Sequence, residues 1–302
     1  MPRPFRVAIW YNYKPMTRIE RYGWRHPVEP GIGRVVSAHG DYYRLVCNEA
    51  DGVILARKKK SVFKFSKLVD RNCRPDAYNA ESLVPITGDF VRFRHNDRGE
   101  SLITDVLPRF SHFGRRDPTA RRQSQTLAVN FDALFVMMSP NEDFSLPRVR
   151  RFLDLAADIG EAEPVVVVSK ADLLRDGDAA RLDELRREVG DAARVMLVSS
   201  VDGTGMDQVE GYARPGRTLA LVGSSGVGKS TLVNRLAGEE IQATQEIQEW
   251  SGRGRHTTTV RELIMLPSGA MVLDTPGIRE IGQVGEAELM QAKGESTHRR
   301  RK

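Results

Sequence analysis

Cysteine is almost missing from this chain: 302 residues contain Cys47 and Cys73 alone, isolated and at no metal-ligand spacing. That scarcity excludes a disulfide-stapled scaffold and a cysteine-built zinc knuckle. Long apolar runs are missing too, none approaching the roughly 20 residues that a membrane-spanning helix needs. Met1–Trp10 show no apolar segment followed by a small-residue cleavage site, so no secretory signal is expected and the chain reads as cytosolic, with no membrane partner. Aromatics are sparse at 7%, yet apolar residues at 40% suffice for real cores, which excludes wholesale disorder. The length is generous for one domain and comfortable for two.

Acidic residues are scarce only in the front half. Residues 1–130 carry 24 Lys+Arg against 13 Asp+Glu, and residues 131–302 carry 22 against 27. A basic front joined to a mildly acidic rear suits a polyanion-binding module ahead of a separate functional domain. Basic loops that merely aid solubility produce the same imbalance, and charge alone leaves both readings open.

Turn signals at His39-Gly40-Asp41, Ala50-Asp51-Gly52, Thr87-Gly88-Asp89 and Asp97-Arg98-Gly99 separate short β-forming runs between residues 31 and 107. Those runs are Arg34–Val36, Tyr42–Cys47, Gly52–Ala56, Val62–Phe65, Asp89–Arg94 and Leu102–Val106. About five short strands suit a closed oligonucleotide-binding (OB) type barrel. Between two of the runs lies Arg57-Lys58-Lys59-Lys60, a candidate RNA contact, while the neighbouring Phe63 and Phe65 fit the barrel core better than a binding face. Residues 1–30 read as an N-terminal extension and 108–126 as a basic connector bearing Arg115-Arg116. From 127 to 282 strands alternate with helical patterns: Leu134–Met138, Val165–Val168, Val195–Val198 and Thr218–Val222 are strands. The pattern predicts an α/β domain with a mostly parallel sheet. Residues 283–302 form a polar, basic tail.

The sharpest motif is Gly223-Ser224-Ser225-Gly226-Val227-Gly228-Lys229-Ser230-Thr231, placed after one of these strands and before a helical pattern. Glycines let backbone N–H groups curl around phosphates, and the following helix N-terminus adds positive potential. Lys229 is expected to reach the β- and γ-phosphates, and Ser230 to ligate Mg²⁺. Asp274-Thr275-Pro276-Gly277 follows the apolar stretch Ala270–Leu273, where Asp274 can serve Mg²⁺ and the Gly277 amide can sense a γ-phosphate.

Ahead of the phosphate loop stands Ser169-Lys170-Ala171-Asp172. A carboxylate at Asp172 matches guanine N1–H and the exocyclic amine, a donor pair adenine lacks, and Lys170 can lay its stem across the base. Ser169 stands where GTPases usually carry Asn, so a hydrogen bond to the base or phosphate loop is expected to shorten or vanish. Val198-Ser199-Ser200 offers a backbone N–H to the base carbonyl. In Arg253-Gly254-Arg255-His256-Thr257-Thr258-Thr259, Thr257 or Thr258 would complete the Mg²⁺ shell as a switch segment.

Ordinary GTPases place the phosphate loop first and the base-reading motifs later; here the order is reversed, as in a circularly permuted domain. On these motifs, with Gly33-Arg34-Val35-Val36, Asn130-Phe131-Asp132, the Arg115–Gln125 connector and Gly254–Thr259, the chain resembles the RsgA (YjeQ) family from Tyr22-Gly23-Trp24 through Gly282. The resemblance implies a circularly permuted P-loop G domain behind an OB-type barrel, with GTP hydrolysis stimulated by the small ribosomal subunit during its late maturation, and contact with rRNA. It also implies a zinc domain with a Cys/Cys/His/Cys cluster, but no cysteine follows Cys73, so none is expected here and RNA docking is expected to weaken. A monomer is expected. Ile278 occupies the position where many GTPases hold a water-orienting Gln. Slow intrinsic turnover follows, and two roles stand open for His256: catalytic, orienting water on the ribosome, or contact with phosphate or RNA. A GTP- and rRNA-binding assembly factor with poor hydrolysis is the alternative reading, and a large-subunit assembly GTPase a third that the barrel disfavours.

Overall fold

A computed structural model describes residues 15–58, 84–115, 125–140, 144–240 and 262–274. The described part of the N-terminal extension opens with a one-turn helix, α1 (Arg18–Arg21), closed by a Thr17/Glu20 capping box. Its Ile19 is wholly buried and packs with Ile32 and Phe90, so this segment is part of the core.

The barrel comprises β1 (Ile32–His39), β2 (Tyr42–Cys47), β3 (Ile54–Lys58), β4 (Phe90–Arg94) and β5 (Ser101–Val106). Strand order is β1-β2-β3-β5-β4 with β4 returning to β1, which closes the sheet and leaves no edge among these strands. Inward positions alternate with outward ones, and Val35, Tyr43, Leu45, Ala56, Val91, Phe93 and Ile103 fill the interior. The strand expected at Val62–Phe65 lies outside the described residues. Arg57 and Lys58 belong to β3 itself, not to a loop beyond it.

Within the stretch read as a connector, β6 (His112–Arg115) pairs antiparallel with β7 (Gln125–Val129). Phe113 of β6 is buried against Phe152, with ring centroids 6.4 Å apart. The α/β domain then runs β8 (Ala133–Met138), α2 (Leu146–Ala156), β9 (Glu163–Val168), α3 (Ala179–Val189), β10 (Arg194–Leu197), α4 (Met206–Tyr212), β11 (Thr218–Val222), α5 (Lys229–Ala237), β12 (Glu262–Met265) and β13 (Met271–Asp274). Strand order is β10-β9-β8-β11-β13-β12, parallel except for β12. Every residue of β8 and β11 is buried, as expected for strands covered on both faces.

Side-chain parity sorts the two faces. Phe135, Met137, Val165, Val167, Leu219 and Leu221 pack with Met206, Val209, Leu232 and Val233 of α4 and α5. Their neighbours Leu134, Val136, Ala220 and Val222 pack with Phe152 and Ala156 of α2, and Val166 and Val168 with Leu182 and Leu185 of α3. Helices after β8 and β9 therefore cover one face, and helices after β10 and β11 the other. The crossover reverses between β8 and β11, and ligands of open α/β sheets bind in the crevice at the carboxyl ends beside such a reversal. Among the described residues no helix is long and apolar enough to cross a membrane.

Candidate nucleotide site at the carboxyl ends of the sheet

Five carboxyl ends meet at one edge: those of β8, β9, β10, β11 and β13. The loop after β11 must turn hard against β8. A Cβ on Gly223 would stand 2.6 Å from the Met137 carbonyl oxygen and 3.1 Å from Val227 Cγ1, so only glycine permits this turn. Val227, fully buried in the core, anchors the middle of the loop. Gly226 (φ 76°) and Gly228 (φ 100°) take left-handed conformations on either side, and α5 begins at Lys229. Lys229 Nζ donates to the carbonyls of Gly223 (2.7 Å) and Ser224, which folds the ammonium over the loop's mouth. Ser230 lies half-buried in the first turn of α5. The Ser224 Oγ is buried without a hydrogen-bond partner among the described residues. A glycine-shaped cradle, an ammonium at its rim and an unsatisfied hydroxyl inside the loop fit a phosphate chain.

The loop after β9 locks onto this cradle. Ser169, 6% exposed, donates its hydroxyl to the Val227 carbonyl of the phosphate loop, with the Met138 carbonyl 3.0 Å away as the alternative acceptor. With serine in the place of Asn, a hydrogen bond to the phosphate loop is present. Lys170 adopts φ 54°, ψ 41°, a left-handed conformation uncommon for a residue with a Cβ. It swings the chain so that Ala171 N–H bonds the Val198 carbonyl (3.1 Å) and Asp172 turns outward, exposed to solvent.

Asp172 is held from the next strand end. Ser199 Oγ donates to Asp172 Oδ1 at 2.6 Å and accepts from the N–H groups of Val201 (3.2 Å) and Asp202 (3.3 Å). Sequence reasoning assigned this element a backbone role and missed the hydroxyl; the only signal was a serine at a strand end after an apolar run. Thr204 N–H closes the loop onto Asp202 (2.8 Å), a bond that with the Thr204 side chain holds the Asp202 carboxyl below its ordinary range. Ser200 is half-buried, and its N–H carries no hydrogen bond among the described residues.

For Mg²⁺ the described donors are the Ser230 hydroxyl and the strand position of Asp274, whose backbone ends β13 beside the phosphate-loop strand. No group of three or more His, Cys, Asp or Glu side chains able to hold a metal occurs among the described residues. A hydroxyl and a carboxylate position fit a hard ion completed by phosphate oxygens and water. His256, Thr257, Thr258 and Gly277 lie outside the described residues, as do Lys59, Lys60 and Arg116; of Arg115 only the strand position is described. On the barrel, the Arg57 guanidinium stacks on the Tyr42 ring (4.4 Å), bonds the Tyr42 hydroxyl (2.6 Å) and pairs with Glu100, so its charge is partly neutralised within the fold.

The RsgA GTPase sequence family matches residues 106–284. A Lactiplantibacillus plantarum protein named small ribosomal subunit biogenesis GTPase RsgA 2 is 38% identical over 267 residues, covering 87% of this chain and 70% of its own length. A Leptospira interrogans protein named small ribosomal subunit biogenesis GTPase RsgA is 34% identical over 287 residues, covering 95% and 74%. Among solved structures, YjeQ from Thermotoga maritima superposes with a TM-score of 0.56 at 25% identity, covering 82% of this chain and 74% of that one. YloQ, described as a circularly permuted GTPase, superposes at 0.50 with 22% identity, covering 84% and 74%, and supports the fold.

Proposed function

This chain belongs to the RsgA family of circularly permuted GTPases, and from that premise we propose that it binds GTP across the ends of β9, β10 and β11 and hydrolyses it while engaged with the small ribosomal subunit in late maturation. The observation that carries the reading is the Ser169–Val227 hydrogen bond, which clamps the loop bearing Asp172 to the loop bearing Lys229. One ligand with a base at one end and phosphates at the other spans both.

In this reading Asp172 accepts from guanine N1–H and the exocyclic amine, Ser199 holds that carboxylate, and the Ser200 N–H meets the base carbonyl. Lys170 lies along the base, with Ala171 supporting the turn. Residues Gly223 to Thr231 wrap the phosphates, where Lys229 offsets charge that grows in the transition state. Ser230 and Asp274, with Thr257 or Thr258, would hold Mg²⁺, which would supply positive charge against the phosphates. Gly277 would sense the γ-phosphate. Arg57 and Lys58 on β3, with Lys59, Lys60, Arg115 and Arg116, supply cations for rRNA phosphate. Ribosomal-subunit assembly places the protein in the cytoplasm, where it acts as a monomer.

Base choice tests the site directly. In Asp172→Asn the amide nitrogen would oppose guanine's own donors, while xanthine offers a carbonyl there. Guanine nucleotide affinity is expected to fall by about 2–3 kcal/mol, on the order of a hundred-fold, with xanthine nucleotide gaining. Calorimetric titration with GDP, XDP and ADP reads this out. Unchanged guanine preference in the variant would remove Asp172 from the site.

A further inference from the structure

We propose that Arg34 is the pin through which the nucleotide state of the G domain sets the position of the barrel, so that the GTP and GDP forms present the barrel to RNA differently. The inference rests on the nucleotide reading above. The segment assigned to the Mg²⁺ shell and the one assigned to sensing the γ-phosphate are continuous in sequence with one hairpin: residues 253–259 precede β12, and Asp274 ends β13 ahead of Gly277. On one side β13 pairs with β11, the strand that feeds the phosphate loop. On the other side β12 meets barrel strand β1 at the Ser37–Glu262 register pair. The strand pair that receives any switch movement is therefore the edge on which the barrel is mounted.

Arg34 lies three residues before Ser37 on β1 and is wholly buried. Its Nη1 faces the Met271 sulfur of β13 at 3.6 Å and donates to the Tyr22 carbonyl; Nη2 donates to the Asn130 carbonyl at 2.7 Å. The guanidinium stands 4.8 Å from the Phe90 ring centre, and Nε has no partner among the described residues. Three separate parts of the molecule thus converge on one cation: the N-terminal segment, the turn before β8, and the switch-bearing hairpin. Space for it is made by Gly23, where a Cβ would stand 2.8 Å from Nη1 and 2.9 Å from the Gly216 carbonyl. Its acceptor is itself fixed: Asn130, at φ 52°, donates Nδ2 to the Gly88 carbonyl (3.1 Å) and accepts from Phe110 N–H (3.1 Å).

Among the described residues no carboxylate touches this guanidinium. Burial draws its pKa down to about 9, with Asp132 opposing at longer range, so at neutral pH it remains charged. A buried, carboxylate-free cation is a costly way to fill space, and methionine of similar length would pack more cheaply. What the guanidinium adds is direction. Donors fixed in a plane meet these carbonyls at one barrel orientation and lose them at others, the kind of discrete contact on which a two-position element turns.

Hydrogen exchange of the full chain with Mg²⁺ and either GDP or a non-hydrolysable GTP analogue tests this. Both nucleotides should protect the peptide over β11 and α5. The β1 peptide should exchange differently in the two states, roughly five-fold, at the low end for linked sites. In Arg34→Met the nucleotide protection should persist and the β1 difference should vanish. If that variant fails to fold, Arg34→Lys, which keeps the charge without the planar fork, should lose most of the difference. Identical β1 exchange with both nucleotides in the unaltered chain, or a full difference in either variant, overturns the proposal. Absence of protection over β11 and α5 overturns the nucleotide reading itself, and this proposal with it.

Discussion

Ser199 shows how one hydroxyl organises the candidate site. Fully buried, it gives its single proton to Asp172 and takes two backbone N–H groups in return, so the solvent-exposed carboxylate is fixed from behind. Ser199→Ala leaves Asp172 in place but free to rotate. Guanine nucleotide affinity should fall by about 1–1.5 kcal/mol, roughly ten-fold, equally for GDP and GTP because the base is common to both. Fluorescent-nucleotide titration checks this, and unequal losses for the two nucleotides would show that the hydroxyl acts elsewhere. Ser169 makes a similar point. A short side chain retains the link to Val227 because the two loops lie close: a Cβ on Gly228 would stand only 3.7 Å from the Ser169 hydroxyl.

At the scale of elements, the barrel is held by polar contacts outside its own core. Asp89, just before β4 and fully buried, takes a bidentate pair from Arg109, Nε at 2.7 Å and Nη2 at 2.8 Å, and caps the Ile86 N–H at 2.9 Å. Arg109 follows β5, so this pair fixes how the chain leaves the barrel toward β6. Asp89→Ala should cost about 3 kcal/mol, the low end for breaking a buried pair, since Arg109 retains some water. Thermal unfolding should move down by several degrees while GDP affinity per folded molecule stays constant. A fall in affinity without a fall in unfolding temperature would assign Asp89 to the nucleotide site instead.

For the whole molecule, permutation decides what hydrolysis can move. β9 and β10 precede the phosphate-loop strand β11 in sequence and β13 follows it, so in the proposed binding mode the γ-phosphate end of the nucleotide would face the hairpin on which the barrel is mounted. Ile278 follows Gly277 and carries no group to orient water, so phosphate release by the isolated protein should be slow and should rise steeply when small ribosomal subunits are added. Single-turnover assays measure both. If His256 orients the water, His256→Ala should abolish the rise; full stimulation in that variant would leave His256 a contact residue. No rise with small subunits in the unaltered chain would favour a binding factor that barely hydrolyses.

Much of this was legible in the residues alone. Glycine spacing around Lys229, the strand before it and the helix after it follow from backbone freedom and hydrophobic period, which are local properties; so does the permuted order, which is a fact of sequence. Burial parity in β8 and β11, by contrast, left no alternation to read, because strands covered on both faces are apolar throughout. The short α4 gave too few apolar positions to mark a helix. The sequence by itself determined which groups the chain carries: a glycine-rich phosphate-loop motif, a carboxylate at Asp172 and the strands of a barrel. Tertiary structure alone decided which of them touch, because the Ser199–Asp172, Ser169–Val227 and Arg34–Asn130 bonds join residues 27, 58 and 96 positions apart, and no local period records where a fold will bring distant polar groups together.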